Sequence, residues 1–362
     1  REKGLKIIRI QNLNNPIASY NLTEKIVADK YRVKKGDILI AWSASLGVYE
    51  WSQEDALLNQ HIFKVEFKSN TILKKYFKYI VELAFKELSY KMRGVGLKHL
   101  TKKQLDEYEF ILPELFEQEK IVQVLSRIEN LILQRKKSID LLNEFIFSKF
   151  LEMFGDPNQN PYQWDTFKLD DVTDLISDGT HKTPKYTNEG ITFISAKNVF
   201  DNRIDWSNIR YISQSEYEYL LSRGKPEKGD ILLTKSGSLG RTAVINTELK
   251  FSFYESLALI KLKKDVINPY FINQLFNTSA IQFNFKRSEK GVAVKHLHLN
   301  TLRDLKIICP PLNKQVLFEE ILLNVKDQTS KHQRSLVLLE ELFQSILYKS
   351  FNKVEEKEGD AI

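Results

Sequence analysis

Cysteine is nearly missing from this sequence: among 362 residues there is one, Cys309. That excludes a disulfide scaffold and a cysteine-rich zinc site, and it fits a reducing, cytoplasmic compartment. Long apolar runs are missing too. No stretch of about 18 uncharged apolar residues occurs, the length a membrane-spanning helix needs, and no signal-peptide pattern follows Arg1. A first residue other than Met reads as a fragment or a processed product. At 42% apolar and 28% charged residues the chain has enough material for buried cores, which excludes disordered and collagen-like classes. Its length suits two ordinary domains.

Recognisable catalytic strings are also absent. There is no Gly-x-x-x-x-Gly-Lys-Ser/Thr phosphate loop and no His-Glu-x-x-His metal pair. The six histidines are scattered except for His296 and His298; with no cysteine or acidic cluster beside them, this pair does not read as a metal site. Asn268-Pro269-Tyr270-Phe271 approaches the Asn-Pro-Pro-Tyr/Phe tetrad of adenine methyltransferases, but its third residue is Tyr and no Gly-rich cofactor loop precedes it. An N-capping Asn followed by Pro at the first helical position accounts for the string better. The sequence therefore predicts no active site, no bound metal and no cofactor.

What is present is positive charge and repetition. Lys and Arg number 54 against 47 acids, a formal +7, and a basic balance fits a polyanionic partner such as nucleic acid. Lys35-Gly36-Asp37-Ile38-Leu39 recurs as Lys228-Gly229-Asp230-Ile231-Leu232, and Ser45-Leu46-Gly47 as Ser238-Leu239-Gly240 at the same offset. At a slightly longer offset Lys98-His99-Leu100 recurs as Lys295-His296-Leu297. So do Ile111, Pro113, Leu115 and Gln118 as Ile308, Pro310, Leu312 and Gln315. Upstream, Gly4 and Asn12 match Gly190 and Asn198. Matches in one order, with offsets that grow at loops, mark a tandem duplication. The first copy lacks the counterpart of residues from about Trp164 to Tyr186, which reads as an N-terminal truncation.

Each copy opens with short strands between Gly, Asn and Ser clusters, for example Ile191–Ile194, Gly229–Leu233 and Ser256–Ile260, followed by helical stretches over Thr71–Tyr90 and Pro269–Phe285. Each copy closes with a long helix. Ile121, Val124, Leu125, Ile128, Leu131, Ile132, Ile139, Leu142, Phe145, Ile146 and Phe150 recur in steps of three and four; Leu317, Ile321, Leu322, Val325, Leu336, Leu339, Leu342, Phe343, Ile346 and Leu347 do the same. A helix of about 35 residues is roughly 50 Å long, too long to bury its stripe on a small β-rich domain, so the two helices are expected to pair. The predicted class is α+β: two tandem β-rich globular domains separated by two long antiparallel helices forming a coiled-coil spacer. The segments are 1–112, the 113–155 helix, 156–310, the 311–355 helix and a 356–362 tail.

Binding residues are expected in the loops. In the second copy these are Asp178, Gly179, Thr180, His181 and Lys182, then Lys197 and Asn198, then Lys235, Ser236, Gly237, Ser238 and Arg241, then Lys295 and His296. In the first copy they are Gln11 and Asn12, Ser43 and Ser45, and Lys98 and His99. Hydroxyls and glycines let a backbone approach a phosphate, while Lys, Asn and Gln suit base edges. The frame residues recur between copies but the loops differ, Ala41-Trp42 against Thr234-Lys235, so two copies would read two different sequences.

This order of motifs, twice over, resembles the specificity subunit of type I restriction–modification systems. Leu112-Pro113-Glu114-Leu115-Phe116-Glu117-Gln118 is similar to the opening of the family's central conserved region, and Cys309-Pro310-Pro311-Leu312-Asn313-Lys314-Gln315 to that of the distal one. The short first copy and Glu114 in place of the Pro311 counterpart depart from the pattern. The resemblance implies a non-catalytic subunit with two target recognition domains, each reading half of a bipartite site in double-stranded DNA, and a helix pair that fixes the gap. It implies two modification subunits docked on the helices and conserved regions, with Ile121, Ile128, Leu142, Phe145, Ile321, Leu339, Leu342 and Ile346 serving the helix spacer and partner docking, together with restriction and translocase subunits. S-adenosylmethionine, ATP and Mg would belong to those partners. The competing readings are an interaction scaffold whose helices merely dimerise, and a silent specificity cassette.

Overall fold

The computed structural model describes residues 4–15, 17–42, 46–91, 102–287 and 297–351. Contacts divide the chain into two compact units, Arg1–Lys137 with Gln333–Ile362, and Ser138–His332.

In the first unit the order is β1 (Leu5–Ile8), α1 (Ile10–Asn14), β2 (Asn21–Thr23), β3 (Arg32–Val33), β4 (Ile38–Ala41), β5 (Gly47–Glu50), β6 (Ala56–Leu58), β7 (Ile62–Lys64), α2 (Lys74–Lys91) and α3 (Lys102–Asp106). The strands form two sheets, β2-β1-β6-β3 and β5-β4-β7. The Lys-Gly-Asp string makes the turn that launches β4. Gly36 sits at φ +86°, in the left-handed region that favours glycine, its amide donates to Trp51 O, and the Asp37 carboxylate accepts from Lys34 N.

Helix α4 (Leu115–Phe154) begins in the first unit and ends in the second. The second unit continues with β8 (Thr166–Lys168), β9 (Thr173–Asp178), β10 (Tyr186–Thr187), β11 (Ile191–Ile194), β12 (Val199–Phe200), β13 (Arg203–Ile204), β14 (Arg210–Ile212) and α5 (Gln214–Leu220). After these come β15 (Ile231–Thr234), β16 (Thr242–Val244), β17 (Phe251–Phe253), β18 (Leu257–Leu262), α6 (Pro269–Phe276), α7 (Ser279–Arg287), α8 (Leu299–Arg303), β19 (Lys306–Ile308) and α9 (Leu312–Phe351). Helix α9 returns to the first unit for its C-terminal part.

The duplication is visible in the pairing. β11 runs parallel to β17 as β1 runs parallel to β6, and β15 lies between β16 and β18 as β4 lies between β5 and β7. Gly229 repeats Gly36, at φ +91° with its amide on Ile245 O. Strands β8, β9 and β10 have no counterpart among the described residues of the first unit.

The long helices pair antiparallel, as their matched stripes predict. In the first unit Leu125 and Ile128 of α4 share a core with Phe343, Leu347 and Phe351 of α9 and Tyr76, Tyr79 and Ile80 of α2. In the second, Ile146, Phe150 and Phe154 of α4 meet Phe318 and Leu322 of α9 and Phe271 of α6. The same device fixes each helix start. Gln118, fully buried, accepts from Leu73 N and donates to Thr71 O and Pro113 O; Gln315 accepts from Asn268 N and donates to Pro310 O.

The helical stretch expected over Pro269–Phe285 is two helices, because Asn277 Nδ2 donates to Asn273 O and Thr278 Oγ1 to Leu275 O, taking carbonyls that a continuing helix needs. One expectation changes in detail. The apolar stripe is not one face. Val124, Leu131 and Phe145 of α4 stay exposed, as do Leu317 and Leu342 of α9, because each directly precedes a residue of the packed face (Leu125, Ile132, Ile146, Phe318 and Phe343) and so lies about 100° round the helix from it.

Candidate nucleic-acid interface

In the second unit the predicted loops converge on one turn, Tyr254-Glu255-Ser256, between β17 and β18. Tyr254 N donates to Ile194 O, Glu255 N to Thr180 O, and Lys235 N to Ser256 O, while Ala196 N donates to Ser256 Oγ. The loops after β9, β11 and β15 thereby become one surface. Sequence reasoning missed this turn, because nothing in residues 254–256 marks them as a junction before the strands are paired.

Asp178 sits at the centre of the cluster. Its carboxylate meets Lys235 Nζ at 2.7 Å, His181 Nε2 at 3.2 Å and Arg223 at 3.4 Å, and the other ring nitrogen of His181 contacts Glu255. Burial opposes ionisation of Asp178, but the Lys235 ammonium, supported by His181 and Arg223, outweighs it and holds the carboxyl below the usual range. Lys235, expected as a phosphate contact, is 8% exposed and spends its charge on Asp178; it positions the β9 loop. Arg223 and Glu255 join the cluster without having been singled out in the sequence.

Gly179 permits the close approach of that loop, since a Cβ there would lie 2.1 Å from Phe253 O. Thr180 is buried and its hydroxyl donates to Lys182 O. His181 and Lys182 face solvent, as does Lys197, and Ser236 is half-buried. Gly237 (φ +77°) and Ser238 form the exposed tip of the β15–β16 loop. Arg241 leans on the exposed Phe200 ring at 5.1 Å, and Arg210 on Tyr186 at 4.3 Å. These stacked cation–aromatic pairs present a planar group and a charge together.

Asn198 and Asn12, placed at base edges by sequence reasoning, turn inward. Each is 2% exposed. Asn198 Oδ1 accepts from Ser195 N and its amide donates to Asp205 O and Asn208 O; Asn12 accepts from Arg9 N and donates to Ala18 O and Ser19 O. Both brace a loop, and their neighbours Lys197 and Gln11 are the exposed members. Ser43, Ser45, Lys98, His99, Lys295 and His296 lie outside the described residues.

The first unit keeps the junction and changes its chemistry. Asn59 N donates to Ile8 O as Tyr254 N does to Ile194 O, but Gln60 and His61 stand where the second unit has Glu255 and Ser256. Trp42, the counterpart of Lys235, packs its ring on Phe63 at 5.7 Å and on His61 at 5.9 Å. One junction is charged and the other aromatic. Among the described residues no group of His, Cys, Asp and Glu is placed to hold a metal, and no helix is long and apolar enough to cross a membrane.

Comparison with known proteins agrees with this architecture. Residues 2–143 and 161–341 match the family model described as the type I restriction modification DNA specificity domain. The chain is 25% identical over 382 residues to the type I restriction enzyme EcoBI specificity subunit of Escherichia coli, covering 97% of this chain and 80% of that protein. It is 22% identical over 321 residues to the MjaVIII specificity subunit of Methanocaldococcus jannaschii, covering 83% and 75%. In fold it is similar to the type I restriction–modification S subunit from M. genitalium, with TM-score 0.56 at 14% identity over 97% of this chain and 93% of that one. A chain from a structure addressing complex assembly and conformational transition of the type I R-M system gives TM-score 0.58 at 16% identity, over 96% and 90%. With both repeats matched, the chain belongs to the type I restriction–modification DNA specificity family.

Proposed function

We propose that the surfaces built on Tyr254-Glu255-Ser256 and on Asn59-Gln60-His61 are the two DNA-reading faces of a specificity subunit, each reading one half of a bipartite site. The observation that carries this reading is the convergence, in the second unit, of three separately predicted loops on one turn. Lys182, Lys197 and Arg241 contact phosphate oxygens, Ser236 to Ser238 approach the backbone closely, and Arg210 on Tyr186 offers a stacked pair for a base edge. The shared scaffold with unlike junctions, Lys235 against Trp42, favours two different half-sites over a scaffold that only dimerises.

The chain itself contributes recognition and no bond-making. Two modification subunits dock on the paired helices and bring S-adenosylmethionine; restriction and translocase subunits bring ATP and Mg. The helix pair sets the gap between half-sites, and the complex works in the cytoplasm on double-stranded DNA. Co-expression with a modification subunit, followed by single-molecule mapping of methylated adenines in host DNA, tests this. One split motif is expected. Arg241→Ala with Lys197→Ala should cut its methylation, and an unchanged pattern would remove these loops from the interface.

A further inference from the structure

The junction of the second unit carries a carboxylate that phosphate contacts do not explain. Glu255 is the middle residue of the Tyr254-Glu255-Ser256 turn, and neighbouring loops fix its backbone. Tyr254 N donates to Ile194 O, Glu255 N donates to Thr180 O, and Ser256 accepts from Lys235 N and, at Oγ, from Ala196 N. The same loops expose Lys182 and Lys197 and carry Arg241. A carboxylate placed among phosphate-seeking cations opposes DNA unless a donor meets it there. The scaffold does not demand this charge, since the first unit has Gln60 at the same place in the turn that Asn59 N ties to Ile8 O.

A chain of alternating charge holds the side chain in place. Lys235 Nζ lies 2.7 Å from Asp178 Oδ2, and His181 Nε2 is 3.2 Å from the same oxygen. The Nδ1 of His181 meets Glu255 Oε2. A ring that donates from both nitrogens is an imidazolium, so the order from interior to surface is cation, anion, cation, anion. Glu255 is the outer end, with 30% of its side chain exposed. Its Oε1 takes no hydrogen bond among the described residues. A carboxylate anchored through one oxygen and open at the other is preorganised to take a single donor.

We propose that Glu255 is the residue of the second unit that reads cytosine, its Oε1 accepting from the N4 amino group in the major groove. This rests on the DNA-reading face proposed above and names a base edge within it. The choice of base follows from acceptor chemistry. In the major groove only cytosine and adenine offer amino donors. Adenine sets its N7 acceptor beside N6, where a carboxylate is repelled and an amide side chain fits. Cytosine presents the N4 donor with no acceptor of its own beside it, which suits a group that only accepts. The His181 ring offsets the carboxylate's charge toward the phosphates and leaves Oε1 open.

Fluorescence anisotropy of the full chain, co-expressed with a modification subunit, tests this on duplexes that carry the split methylation motif with each base pair changed one at a time. Glu255→Gln keeps the shape and an acceptor for His181 but turns an amino donor toward the groove. Its discrimination is expected to fall about tenfold or more at one C·G pair of one half-site, with every other pair unaffected. Unrelated duplexes should be bound as tightly as before or more tightly, because an anion has left the interface. A turn that had only lost its clamp would bind every duplex more weakly. Loss at an A·T pair, uniform weakening on all duplexes, or no loss at any pair overturns the proposal while the DNA-reading face stands. An unsubstituted complex that discriminates at no pair overturns that face and the proposal together.

Discussion

Asp178 and Lys235 show how a residue's role turns on its partner. Read as a string, a lysine in a Ser-Gly-Ser loop belongs on a phosphate. In place, its ammonium lies 2.7 Å from a carboxylate with little solvent access, the two side chains being 10% and 13% exposed. Lys235→Ala leaves Asp178 with only its longer contacts to Arg223 and His181, and an under-satisfied buried charge of this kind costs about 1–3 kcal/mol. We expect that loss in urea unfolding, with most of it recovered when Asp178→Asn is added; no recovery would mean that the pair does not act as a unit. Acid reads the same contact. A carboxyl held below its usual range stabilises the fold above that range, and the contribution disappears as pH falls through the lowered value. The melting temperature of the unsubstituted chain should therefore fall more steeply than that of Asp178→Asn as pH drops below the ordinary aspartate range. Parallel curves would contradict the assignment.

At the scale of elements, the sequence was informative where a rule is local. The duplication, the two long helices and the Asn268 cap with Pro269 at the first turn all follow from spacing or from one residue's conformational needs, whereas Gly229 and Asp230, read as the start of a strand, make the turn before Ile231. What stayed hidden depends on pairing. The Tyr254–Ser256 junction exists only once β17 and β18 lie beside β11 and β15, and the inward turn of Asn12 and Asn198 depends on carbonyls several residues away. Gln118 and Gln315 were visible as a repeated letter, but their task of joining a helix start to the preceding helix was not. The stripes were half legible. Leu125, Ile128, Ile146 and Phe150 do form the seam, while Val124, Leu131 and Phe145 on α4 and Val316, Leu323 and Val337 on α9 make heptad-spaced exposed rows. Exposed apolar rows on long helices mark protein contacts. Leu131→Ser with Val337→Ser should shift stability by less than about 1 kcal/mol, as surface changes do, yet weaken co-purification with a modification subunit. Normal assembly would assign the rows no docking role.

For the molecule as a whole, the formal charge of +7 is modest, so affinity for DNA depends on where the cations stand. The second unit exposes Lys182 and Lys197 and stacks Arg241 on Phe200 around its charged junction, whereas the first unit's junction is built from Trp42, His61 and Gln60. Phosphate contacts release counterions, and each contributes roughly 0.9 to the slope of log affinity against log salt. Changing Lys182, Lys197 and Arg241 together to Ala should make that slope shallower by about 2–3, on cognate and unrelated duplexes alike, because such contacts position the protein without reading bases. Trp42→Ala should act differently, leaving the slope intact while reducing discrimination at one half-site. Fluorescence anisotropy across a salt series, with half-sites varied one at a time, separates the two. A slope that does not respond to the triple change would mean that these cations stand away from DNA, and the charged junction would then be a structural clamp alone.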